Sequence, residues 1–266
     1  LVEELSKTRE NATYLPGVIL PENIAFTWKL EEALAQKELV ILSVPSQSLR
    51  SLLEKIPASL WQGNPLLLQA AKGLELGTLM RLSQVVAGCV PQGLKDRIVV
   101  LSGPNHAEEI TRSFPAASVV ASANEAAARQ AQEYLMGDTL RIYTNQDLVG
   151  VELGGALKNI IAMAAGICDG LGLGDNTKAT LITRGLAEIV RLATKLGAEP
   201  PTFAGLSGMG DLIATAGSEH SRNWRAGYQI GKGQKTEQVF AGPQVVEGAS
   251  TARSALALAQ KLAVPM

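Results

Sequence analysis

Five short runs of apolar residues constrain the fold of this chain more than any other feature. They cover residues 39–44, 66–70, 98–102, 117–121 and 140–143. They show no regular polar alternation, so each predicts a strand covered on both faces. Amphipathic stretches at residues 46–56, 76–86 and 124–136 lie between them. Apolar strands separated by helical patterns predict the α/β class, with a doubly wound, Rossmann-type parallel sheet. Such sheets bind ligands at the carboxyl ends of their strands. Pro45-Ser46, Lys72-Gly73 and Gly103-Pro104-Asn105 all fall at such ends.

Beyond about Asn145 the pattern changes. Strand-like runs stop, and helical periodicity takes over at residues 147–168, 178–196, 208–216 and 250–262, interrupted by Pro200-Pro201. The expectation is a sheet domain over residues 1–144 followed by an all-α domain over residues 145–266. A chain of 266 residues is long enough for one large domain or two ordinary ones. No Gly-x-Gly-x-x-Gly follows any of the strands. The glycines at 170, 172 and 174, and at 205, 208 and 210, lie in the helical half and read as interhelical loops. The chain opens in a helical pattern at Leu1-Val2-Glu3-Glu4-Leu5, without a signal peptide, and stops at Val264-Pro265-Met266. Both ends read as cut.

Composition narrows the function. Hydrophobic residues make up 46% of the chain and charged residues 18%, which supports a sizeable core. The net charge is −1, and no basic stripe points to nucleic acid or to an anionic membrane. The apolar run at residues 160–168 falls far short of the roughly 20 residues of a membrane span. Cys89 and Cys168 cannot form a disulfide framework and read as small core residues in a reducing, cytoplasmic compartment. With two histidines, His106 and His220, and no Cys-x-x-Cys or His-x-x-x-His, no metal site is expected.

One helical segment carries a chemical signal. Gly150-Val151-Glu152-Leu153-Gly154-Gly155-Ala156-Leu157-Lys158-Asn159 sets a lysine and an amide into an apolar, glycine-bearing helix. An unpaired buried ammonium costs several kcal/mol or loses its proton. Each glycine costs roughly 1 kcal/mol of helix stability against alanine, which suggests close approach of a backbone or ligand. Lys158 therefore reads as a catalytic base in a cleft, or as a lysine snorkelling from a helix edge.

Four further clusters could carry chemistry. Lys72 at a strand end either faces the cleft or is a solvated loop residue. Residues 102–108 form a strand–turn–helix whose backbone N–H groups could hold an anion. Gly208-Met209-Gly210-Asp211 places a carboxylate at a turn, with Thr215 one helical turn later on the same face. Asp211 could instead cap that helix. Ser221-Arg222-Asn223 sets a forked guanidinium beside an amide, suited to a phosphate or carboxylate, unless Arg222 is only a surface residue.

Together these segments resemble one family. Arg9-Glu10-Asn11, Tyr14-Leu15-Pro16-Gly17, Val44-Pro45-Ser46-Gln47, Ala71-Lys72-Gly73-Leu74-Glu75, Ser102-Gly103-Pro104, the Lys158 helix, residues 169–176, Gly208-Met209-Gly210-Asp211, Ser221-Arg222-Asn223 and Val245-Val246-Glu247-Gly248 are similar, in order, to the bacterial-type NAD(P)-dependent glycerol-3-phosphate dehydrogenases. The resemblance spans the whole chain. It implies a dinucleotide-binding first domain lacking its first strand–helix–strand unit, a helical substrate domain, and NAD or NADP as cofactor. It implies glycerol 3-phosphate and dihydroxyacetone phosphate as substrates, feeding phospholipid synthesis, and leaves room for a homodimer.

Residue by residue, the resemblance makes Lys158 the proton acceptor, with Lys72 and Asp211 in the catalytic group. Lys72, Gly103, Asn105, Lys158, Asn159, Asp211, Thr215, Ser221, Arg222 and Asn223 would contact substrate. Lys72, Ala107, Arg222, Val245 and Glu247 would line the cofactor site. Asn105 stands where serine or threonine is usual, and His106 where an aromatic is usual. His106 then reads as a packed neighbour, with a proton shuttle as the alternative. Rival readings are another dehydrogenase of this architecture, acting on a hydroxy acid or sugar phosphate, and a catalytically dead binding protein.

Overall fold

The computed structural model describes residues 1–242 and 245–266. It opens with α1 (Val2–Thr8) and a small antiparallel ribbon of β1 (Glu10–Asn11) and β2 (Leu15–Ile19), which the apolar pattern does not mark. After α2 (Leu30–Leu34) comes a five-stranded sheet in sequential order, β3 (Leu39–Leu42), β4 (Leu66–Gln69), β5 (Ile98–Ser102), β6 (Ala116–Ala121) and β7 (Leu140–Asn145). All five predicted runs are its strands. Between them lie α3 (Leu49–Leu53), α4 (Leu82–Cys89), α5 (Ala107–Ile110) and α6 (Glu125–Leu135).

Both faces of the sheet are covered. On one, Leu42, Leu67 and Ile98 meet Leu49, Leu53, Leu82 and Val86 from α3 and α4. On the other, Leu66, Leu68, Val99, Val120 and Ile142 meet Ala127 and Ala131 of α6. Successive strand side chains point to opposite faces. Leu66-Leu67-Leu68 is therefore apolar throughout because neither face is wet.

One expectation is corrected. The pairs β3–β4, β4–β5 and β6–β7 are parallel, but β5 and β6 run antiparallel, with Leu101 opposite Val120. A parallel crossover needs a connection long enough to recross the sheet. Residues 103–115 carry only the single turn of α5, so the chain comes back in the opposite direction. The helix expected over residues 76–86 also starts late, at Leu82, after a turn closed by a bridge between Leu74 and Arg81.

The second half is built on α7 (Leu148–Leu171). Asp147 begins it by accepting the Gly150 N–H at 2.7 Å, and Gly172, with φ +70°, ends it. Around it pack α8 (Gly174–Lys195), α9 (Asp211–Ala216), α10 (Arg222–Gly231) and α12 (Glu247–Lys261), with α11 (Thr236–Phe240) beside α10. By length and composition α7 could cross a membrane, but 67% of its apolar window is buried inside the fold. Its amino-terminal half rests on the sheet, where Val151 joins Val100, Val119 and Ala121. Residues 208–216 are not one α-helix, because a π-helical turn, Leu206–Gly210, precedes α9. Of the three glycines read as a loop, Gly172 lies between α7 and α8 and Gly174 opens α8, but Gly170 is inside the last turn of α7, buried against α10.

Candidate active site

The glycines of α7 are there for close approach. A Cβ on Gly154 would stand 2.6 Å from the Ser207 carbonyl oxygen in the π-helical turn, and one on Gly155 would collide with the Ser102 hydroxyl at the end of β5. The helix is thus wedged between the sheet edge and the turn that leads into α9. One turn further on, Lys158 enters the same wedge and is 5% exposed. Its Nζ donates to Asp211 Oδ1 at 2.6 Å and to Thr215 Oγ1. The snorkelling alternative does not hold.

Lys72 arrives from the other domain. Its Nζ donates to Asp211 Oδ2 at 2.7 Å, to the Gly103 carbonyl at 3.2 Å and to Asn105 Oδ1 at 3.3 Å. It is not a solvated loop residue. Asp211 is 1% exposed and does not cap α9; each of its oxygens serves one ammonium. Thr215, a turn along the same face, donates to Asp211 Oδ1 at 3.2 Å.

The electrostatics follow from this shared carboxylate. Burial, then the Lys72 ammonium, push the Lys158 amine down to about 7, against the pull of Asp211. Burial would raise the Asp211 carboxyl, but Lys72 and Lys158 outweigh it and hold it below the ordinary range. His106 is lowered by burial and then by Lys158. Its ring meets that of His220 edge-on at 6.3 Å, one histidine from each side of the cleft.

The remaining predicted residues fall into two groups around this centre. Ser221, Arg222 and Asn223 open α10. The Ser221 hydroxyl accepts the Trp224 N–H at 3.1 Å and so caps α10, and Arg222 is exposed. Asn223 Oδ1 accepts the Gly248 N–H at 2.8 Å, which leaves its amide NH₂ to turn to a ligand. Asn159 is buried on α7. Gly103 has φ +128° at the end of β5, a conformation that favours glycine. Ala107 and Val245 are exposed.

Glu247 has a partner that sequence reasoning missed. Its carboxylate accepts the Ser46 N–H at 3.1 Å and the Ser46 hydroxyl at 2.5 Å, and so ties α12 to the end of β3. The only signal was a serine after the strand-ending Pro45, which says nothing about a contact with residue 247.

The strand ends also carry space beside one predicted cofactor residue, Ala107. A cavity of about 370 Å³ opens there, lined by Ala70, Leu101, Asn105, Ala107, Ser118 and Ile142 among others. The Ser118 hydroxyl on its wall is buried with no hydrogen-bond partner among the described residues. The niche is mostly apolar, and Asn105 and Ala107 are the residues it shares with the predicted site.

A doubly wound sheet, a helical domain and a buried lysine at their junction define a two-domain α/β oxidoreductase. Family models of the NAD-dependent glycerol-3-phosphate dehydrogenases match the chain at residues 1–128, for the amino-terminal region, and 147–266, for the carboxyl-terminal region. The chain belongs to that family. It is 53% identical to the glycerol-3-phosphate dehydrogenase [NAD(P)+] of Pelotomaculum thermopropionicum, over 99% of this chain and 75% of the relative. It is 49% identical to the protein of that name from Carboxydothermus hydrogenoformans, over 100% of this chain and 79% of the relative. Its structure is similar to the crystal structure of glycerol-3-phosphate dehydrogenase from Coxiella burnetii, with TM-score 0.93 and 36% identity, covering all of this chain and 80% of that one.

Proposed function

We propose that this chain interconverts sn-glycerol 3-phosphate and dihydroxyacetone phosphate with NAD or NADP, in the cytoplasm, and so supplies the backbone of glycerophospholipids. The family membership supports the substrate. The observation that carries the mechanism is the buried Lys72–Asp211–Lys158 chain, in which burial and then Lys72 lower the Lys158 amine to about 7 against the pull of Asp211.

Lys158 Nζ accepts the proton of the carbon-2 hydroxyl during oxidation and returns it to the ketone oxygen during reduction. A bound nicotinamide supplies the hydride chemistry at carbon 2. Lys72 and Asn105 orient the substrate oxygens from the sheet edge. Arg222 grips the phosphate with two prongs, helped by the Asn223 amide and the Ser221 backbone. Asp211 and Thr215 hold Lys158 in place. Gly103 and Asn159 shape the substrate side of the cleft. Lys72, Ala107, Arg222, Val245 and Glu247 hold the cofactor edge.

Lys158→Ala in the intact enzyme tests it. Turnover of dihydroxyacetone phosphate with NADH or NADPH should fall by at least about 10²-fold with an unchanged circular dichroism spectrum. Turnover near that of the unaltered enzyme would remove Lys158 from the chemistry.

A further inference from the structure

Glu152 lies on α7, is 5% exposed and takes no part in the chemistry just described. Its Oε1 accepts the Ser83 N–H at 2.7 Å. Its Oε2 accepts the Ser83 hydroxyl at 2.6 Å and Arg81 Nη1 at 2.7 Å. Ser83 is the second residue of α4, and Arg81 immediately precedes that helix. A carboxylate of the helical half is thus seated on the first turn of a helix of the sheet half. Backbone N–H groups lack intrahelical partners there, and the helix dipole favours a negative charge.

A seam that served only for adhesion could be apolar, because a buried ion pair is often no more stabilising than hydrophobic residues of its volume. What the ionic version adds is geometry. Three directional bonds to two rigidly placed residues leave Glu152 one position, and displacement would strand a buried charge. Glu152 and Lys158 share one helix, about 9 Å apart along its axis at 1.5 Å per residue. Lys72, by contrast, belongs to the sheet half. The two lysines meet at Asp211 only while α7 keeps its height and rotation on that half.

We propose that Glu152 is a positioning residue for the reaction. Its grip on Arg81 and Ser83 sets α7 against the sheet domain so that Lys158 and Lys72 converge on Asp211. This rests on the reading of Lys158 as the base. The charged and titratable groups facing Lys158 are Lys72, Asp211 and His106. Slackening the Glu152 clamp draws Lys72 away and lets water reach the wedge. Both changes remove causes that hold the Lys158 amine down, so it moves back toward the ordinary lysine value. Oxidation requires the neutral amine, so the acid limb of the kcat profile moves to higher pH.

The test compares Glu152→Asp, Glu152→Gln and the double variant Arg81→Met with Glu152→Met in the intact enzyme. Glu152→Asp keeps the charge but falls short of both partners, and the double variant strands no charge. Each folded variant should lose about 10-fold in kcat and shift the acid limb of glycerol 3-phosphate oxidation upward by about one pH unit. A folded variant that keeps both kcat and the limb overturns the proposal, whatever its melting temperature. Failure of all three to fold overturns it too, by making the clamp a requirement of folding alone. Lys158→Ala measured alongside separates the two readings. Activity surviving there sinks the base assignment, whereas an unmoved limb beside an inactive Lys158→Ala sinks the positioning alone.

Discussion

At the scale of single residues, the depressed amine of Lys158 affects stability as well as chemistry. Between about pH 7 and the ordinary lysine value of 10.5, the unfolded chain holds a proton there that the folded chain does not. Stability therefore rises with pH across that window. Lys158→Met should lack this rise, and its advantage in melting temperature over the unaltered protein should shrink from pH 7 toward pH 10. Melting curves at several pH values check this; an equally steep rise in the variant would count against it. Arg222→Lys should raise the KM for dihydroxyacetone phosphate about tenfold or more, because a point-charge ammonium cannot reproduce a forked contact. Steady-state kinetics that show only a kcat change would take Arg222 off the phosphate. Lys158 was legible in the sequence because a charge in an apolar helix needs a reason. Its closeness to Asp211 came from the family resemblance alone, since the partner lies 53 residues away and an aspartate after glycine equally suggests a cap.

At the scale of elements, strands were easier to read than helices. The runs of β4 and β5 are apolar and covered on both faces, as only a sheet inside the fold can be, whereas the edge strand β7 buries Ile142 and leaves Arg141 and Tyr143 exposed. α10 escaped notice because Gly227 and Gly231 weaken its helical signal. The structure explains both glycines. A Cβ on Gly227 would collide with the Met163 carbonyl of α7, and one on Gly231 would lie 2.5 Å from the Ile167 carbonyl oxygen. Opposite them, Gly166 and Gly170 of α7 leave room for the Trp224 and Tyr228 carbonyls. Two helices here meet backbone to backbone, so the helix is specified by its partner rather than by propensity. Gly227→Ala should cost about 3 kcal/mol in urea unfolding. It should also raise the substrate KM, since α10 carries Arg222 and Asn223. Unchanged stability would mean that the crossing is looser than the structure shows.

At the scale of the whole molecule, the two halves share polar clamps and a core. Leu74 from the sheet half is buried among Leu153, Leu157, Leu192 and Phe203. The bonds from Asp211 to Lys72, from Glu152 to Arg81 and from Glu247 to Ser46 all cross the same seam. Calorimetry should therefore show one unfolding transition. Two resolved transitions would show that the halves hold together only loosely. Only the meeting of Lys72 and Asp211 was suggested beforehand, by the family resemblance; the other two crossings join residues 71 and 201 positions apart, beyond the reach of any local pattern.

The reversal between β5 and β6 has a mechanical consequence. Since β6 runs back against β5, the segment between them leaves and re-enters the sheet along one rim. Gly103, Asn105, His106 and Ala107 thus ride on a strap with both feet nailed to the ligand edge. The strap therefore presents its residues to the cleft from one side, facing Arg222 and His220, which stand exposed at the start of α10 on the opposite bank.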